Sequence, residues 1–224
     1  MSDTDSFIDE VTEEVRRDRL FLMLKRYGWI GGLAVVLIVG GAAWREYSKA
    51  QEQAAAQALG DAMLAALEPD AAAERASALA SVAAGSGAGA ALAKMMQAGA
   101  LAEADQAEAA VAVLDQIAAD GDLPLIYRHT ATFKSLGLQA DVLSVDERRL
   151  RYEALAQPGA PLSLLAAEQL ALLDIEAGDS AAAITRLRAI IADATVRQDL
   201  KERATQVIVA LGGNPEEAEV ASEG

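Results

Sequence analysis

Between Tyr27 and Trp44 the chain runs eighteen residues without a charge, bracketed by Arg26 and Arg45. As a helix rising about 1.5 Å per residue, that stretch is roughly 27 Å long, close to the hydrocarbon thickness of a bilayer. Its centre reads Leu33-Ala34-Val35-Val36-Leu37-Ile38-Val39, with Tyr27 and Trp29 at one end and Trp44 and Tyr47 at the other, where an aromatic belt would lie. Lys25, Arg26 and Arg45 can snorkel outward and lengthen the span. A buried core helix needs neither this length nor aromatic ends. A cleaved signal peptide is the sharper rival, with Gly41-Ala42-Ala43 as its cleavage site. Against it, the preceding 26 residues carry seven acidic side chains and have the pattern of a helix, whereas signal peptides start with short basic regions. A permanent anchor is the expectation.

Arg16, Arg17, Arg19, Lys25 and Arg26 precede the span, and only Arg45 and Lys49 follow it closely. The positive-inside rule counts these residues and largely ignores acids, so it places residues 1–26 in the cytoplasm and residues 45–224 across the membrane, with 45–213 as the helical domain. Gly28 and Gly32 match a helix-dimerisation spacing but sit at the interface end, where ordinary glycine usage explains them equally well. Within residues 6–26, Ser6 is the expected cap and Phe7, Ile8, Val11 and Val15 form an apolar stripe.

Beyond the span the chain reads as all-α. It holds 52 alanines, and aromatics make up only 4%. Alanine favours helix, while a sheet would need valine, isoleucine and aromatic residues. No breaker appears after Trp44 until Glu68-Pro69-Asp70, where Asp70 is the expected cap of a helix to about residue 84. Gly85-Ser86-Gly87-Ala88-Gly89 marks a loop. Phosphate binding there would require a preceding strand, which the pattern lacks. Helices are expected at about 90–103, 105–120, 123–137, 145–157, 161–177, 180–193 and 195–211. Ser144-Val145-Asp146-Glu147 is a capping-box pattern, Pro161 suits a first turn, and Gly178-Asp179 ends one helix and starts the next. Gly212-Gly213-Asn214-Pro215 closes the last helix, and residues 214–224 form an acidic tail expected to be disordered.

Helices of this length with short turns have the rhythm of an α-solenoid. In residues 164–191, Ala171 and Ala183 are small where two helices would cross, and Leu170, Leu187, Ile190 and Ile191 supply bulk beside them. With the glycine-aspartate turn between, this is the pattern of a tetratricopeptide repeat. Residues 93–117 echo it through Ala93, Met96, Ala104-Asp105, Ala109 and Val113. Two departures make the repeats degenerate. Asp174 stands where an aromatic is usual, and Asp193-Ala194-Thr195 replaces the closing proline.

The chain resembles the YfgM-like ancillary SecYEG translocon subunits of Gram-negative bacteria, whose tetratricopeptide domain is shared with the cell-division coordinator CpoB. The residues that carry the likeness are Ile8-Asp9-Glu10-Val11, Leu24-Lys25-Arg26-Tyr27-Gly28, Gly40-Gly41-Ala42-Ala43-Trp44-Arg45, Leu155 to Pro161, and Ala171 to Asp179. The resemblance implies a single-pass inner-membrane protein with a periplasmic domain that contacts translocon subunits, periplasmic chaperones and client polypeptides. It implies no catalytic residue.

The residues themselves point away from chemistry. Net charge is −15, which disfavours nucleic acid. There is no cysteine and one histidine, His129, expected to be a structural or surface residue. No cofactor, metal or small-molecule substrate is expected. Two sets of residues are candidates for partner binding. Arg148, Arg149 and Arg151 form a basic cluster that either receives an acidic partner or pairs with Asp146, Glu147 and Glu153. Leu165, Leu172 and Ile175 would line a concave groove by the tetratricopeptide pattern, although the helix they occupy is apolar on nearly every side and reads more readily as core. A membrane-anchored protein-binding scaffold is the leading expectation. A cell-envelope adaptor unrelated to secretion, and an enzyme with an undetected carboxylate site, are the alternatives.

Overall fold

The protein is described by a computed structural model that covers the backbone of residues 3–85 and 87–215, and side chains from Lys25 onward. The stripe at Phe7 to Val15 and the tail after Pro215 lie outside the described side chains and residues, respectively. Every regular element among the described residues is a helix, in the order α1 (Asp3–Leu67), α2 (Ala72–Val82), α3 (Gly87–Glu103), α4 (Ala107–Ala119), α5 (Leu125–Leu138), α6 (Val145–Leu155), α7 (Ser163–Glu176), α8 (Ser180–Ala192) and α9 (Gln198–Ala210).

The chain divides into two compact units, residues 1–58 and 59–224. The first is a single continuous helix. Ser6 therefore lies inside α1 and does not cap it, because helical backbone already begins at Asp3. One helix among the described residues is long and apolar enough to cross a membrane, and it contains this uncharged stretch. Its apolar residues from Ile30 to Val39 are exposed all round, as a lipid-facing helix requires.

The second unit starts with the last turns of α1, where Met63 packs with Ala83 and Ala93. From there each helix packs chiefly on its neighbours in sequence, with additional contacts that skip a helix between α3 and α5 and between α7 and α9. The same buried positions recur along the array. Ala93, Ala131, Ala166 and Ala204 are fully buried on α3, α5, α7 and α9, spaced 38, 35 and 38 residues apart. Leu79, Leu114, Tyr152 and Leu187 are buried on α2, α4, α6 and α8, spaced 35, 38 and 35 apart. Alanine at one position and a large residue at the other lets neighbouring axes approach while the gap beside them stays filled.

The turns follow the same register. Gly178 takes φ +81°, and the Asp179 amide donates to the Asp174 carbonyl at 2.8 Å, a left-handed close that glycine adopts without steric cost. The corresponding turn after α3 uses Asp105 at φ +59°, with the Gln106 amide donating to the Leu101 carbonyl at 2.9 Å. Asp179 then caps α8 through the Ala182 amide, and Ser144 and Glu147 form the expected capping box on α6.

Some boundaries differ from the sequence expectation. Asp70 does not cap α2: the residue at the cap is Ala71, without a side-chain bond, and the Asp70 carbonyl instead accepts from Arg75. The glycine-rich segment is shorter than expected because α3 begins at Gly87. Pro161 lies before α7, which starts at Ser163. At the end of α8 the Asp193 carboxylate accepts from the Thr195 amide at 2.7 Å and from its hydroxyl at 2.6 Å, a local turn that closes the helix.

Candidate partner-binding surface

Leu165, Leu172 and Ile175 share one side of α7, since steps of seven and three residues stay within about a quarter-turn of each other on a 3.6-residue helix. Ala166, Leu170, Ala171 and Leu173, around the rest of the helix, are all buried. The three candidates are thus not core in the sense of their neighbours. Leu172 is 42% exposed, while Leu165 and Ile175 are half-buried. Leu165 also packs against the core that α7 shares with α8 and α9. It lines a cleft of about 400 Å³ formed by Pro161 to Leu165 on one wall and Thr195, Arg197, Asp199 and Leu200 on the other.

The positions matching Leu172 on α3 and α5 are Gly99 and Gly137, and a Cβ added at either would meet nothing within 4 Å. The positions matching Leu165 are Leu92, 48% exposed, and Thr130. Along α3, α5 and α7 the same helix side is therefore apolar or small, with open space in front of two of its residues.

The basic cluster behaves differently. Arg148 and Arg149 reach across to α7, not to the acids of their own helix. Arg148 donates to Glu176 at 2.6 Å, and Arg149 donates to Asp174 Oδ1 at 2.5 Å. Arg186 of α8 donates to the other oxygen of Asp174 at 3.1 Å. Asp174 is buried, so this charge sits between two guanidinium groups on different helices, which offset the desolvation of the carboxylate. Of the three arginines only Arg151 is exposed without a hydrogen bond or ion pair among the described residues, and its charge is felt by Glu147. An acidic partner would thus meet Arg151, with Arg148 and Arg149 already engaged.

The role of Asp174 was missed by sequence reasoning beyond its being a departure. The available signal was an acid on an otherwise apolar helix with unmatched arginines on both flanking helices. Two further ion pairs join helices: Arg75 with Glu103 links α2 to the end of α3, and Arg203 grips Glu168 through two 2.9 Å bonds between α9 and α7.

His129 sits half-buried early in α5, with Nδ1 buried and unpartnered. Burial and then the neighbouring Arg128 charge hold its pKa below the ordinary value. No set of three or more potential metal ligands occurs among the described residues. No family model, curated protein or solved structure matches the chain.

Proposed function

We propose that this protein is a membrane-anchored scaffold. In this reading α1 crosses the inner membrane with its N-terminus in the cytoplasm, and residues from about 45 onward form a degenerate tetratricopeptide solenoid on the periplasmic side. The observation that carries it is the recurrence of one buried pattern, Ala93, Ala131, Ala166 and Ala204 with Leu79, Leu114, Tyr152 and Leu187, in helices that pack on sequence neighbours, at the end of a helix apolar enough to span a bilayer. Solenoids of this kind build extended concave surfaces for protein partners.

The scaffold binds polypeptides through the side of α3, α5 and α7 that carries Leu92, Leu165, Leu172 and Ile175. Tethering raises the effective concentration of partners that share the membrane, so contacts worth roughly 8 kcal/mol, a micromolar dissociation constant, suffice. Following the family resemblance, the partners are translocon subunits, periplasmic chaperones and the polypeptides passing between them. The protein has no turnover of its own.

A pulldown from solubilised membranes tests this, comparing the wild type with Leu172→Gln and using circular dichroism to check folding. Partner recovery should drop for a folded variant. Equal recovery would remove this face from the binding site, and recovery of no translocon or chaperone protein by the wild type would count against the adaptor role.

A further inference from the structure

The helix pairs of the second unit are not built alike. In α3–α4 the matching crossing positions hold Ala98 and Ala110, and in α7–α8 they hold Ala171 and Ala183; all four are buried, and the backbones approach closely along both pairs. In α5–α6 the same two positions hold Leu136 and Arg148, and the backbones come close over only a short stretch. Large side chains at a crossing keep helix axes apart. The connection is longer here too, residues 139–144, against three residues in the other two pairs.

The core divides at the same place. Ala131, early in α5, belongs to the cluster shared with α2, α3 and α4, whereas Leu136, five residues later, belongs to the cluster shared with α6 and α7. Arg148 fills the space that alanine leaves closed elsewhere. Its Nε is buried with no partner, while its far end is held by Glu176 of α7. A buried donor without an acceptor is costly, and opening the crossing would hydrate it. α5 meets α6 through an edge-to-face contact of Phe133 and Tyr152, with centroids 5.7 Å apart, beside Leu136 in the cluster it shares with Tyr152 and Leu155.

We propose that the α5–α6 crossing is a hinge built into the array, with α2–α5 on one side and α6–α9 on the other moving as blocks. The Arg148–Glu176 pair keeps α6 with the second block. Because α5 and α7 carry neighbouring parts of one helix face, hinge motion changes the span of that face and fits it to partners of different width. The hinge itself needs no partner, so its test is separate from that of the binding role.

The chain has no cysteine, so introduced pairs can be spin-labelled cleanly in the full-length protein in nanodiscs. One pair, Gln116→Cys with Gln206→Cys, reports across the crossing; Ser77→Cys with Gln116→Cys, and Glu153→Cys with Gln206→Cys, report within each block. All four positions are exposed. The cross-hinge distance distribution should be at least about twice as wide as either within-block distribution. Equal widths for all three pairs would overturn the hinge.

Discussion

Leu187 tests the helix pairing most severely, because it is fully buried at the position that recurs on every second helix. Its surroundings include Ala171, Ile190, Leu200, Ala204 and Ile208. Truncation to alanine removes three carbons, a transfer loss of about 2.4 kcal/mol at about 0.8 per methylene. The cavity adds to this. Ala171 and Ala204 have no rotamers with which to fill it, so most of the removed volume stays empty. At about 24 cal/mol per Å³, a void of about 70 Å³ costs about 1.7 kcal/mol more. Leu187→Ala should therefore destabilise by about 4 kcal/mol. Urea unfolding of residues 46–224 provides the assay. With a slope of about 2.5 kcal/mol per molar, the midpoint should fall by about 1.6 M. Leu150→Ala is the control: Leu150 is 69% exposed on α6, and the change should stay within about 0.5 kcal/mol. An unchanged midpoint for Leu187→Ala would refute the packing of α7, α8 and α9.

Acid should weaken the fold in a defined way. The Ser144 hydroxyl, then its amide, hold the Glu147 carboxyl below its usual pKa, and Thr195 does the same for Asp193. A carboxylate depressed in the folded state adds stability that is present above its unfolded pKa and lost as pH falls through the folded value. Unfolding midpoints should thus be flat near neutrality and decline as pH drops below about 4.5, the unperturbed glutamate value, with a shallower decline in Ser144→Ala. A decline identical in the two proteins would sever Glu147 from the effect. On topology, protease added to spheroplasts should digest the region after Trp44 and spare residues 1–26. Protection of the large unit until lysis would reverse the orientation.

Much of the helical layout was legible because punctuation is local. Ser144 with Glu147, and Gly178 with Asp179, act within one turn, and the structure places them where the sequence pattern does. The uncharged run from Tyr27 to Trp44 was legible for the same reason: hydropathy needs no partner to be read. Boundaries failed where a cap depended on competition. Asp70 is displaced by one residue from the cap of α2, which falls on Ala71, and Asp105 adopts a left-handed turn without glycine. The arginines were illegible in a different sense. Local charge suggested that Arg148 and Arg149 pair on their own helix, but Asp174 and Glu176 lie more than twenty residues away and are brought near only by packing. The same holds for Leu172, whose exposure depends on which side of an almost wholly apolar helix its neighbours cover.

The central claim is that the α3–α5–α7 face binds protein in the membrane setting, and photo-crosslinking from that face tests it most directly. A benzophenone amino acid placed at Leu172, with a second at the exposed Leu150 as reference, would be irradiated in intact cells and the adducts identified by mass spectrometry. Discrete protein adducts are expected from position 172, dominated by translocon or chaperone components, and few from position 150. Equal adduct patterns from both positions, or adducts from 150 alone, would contradict it.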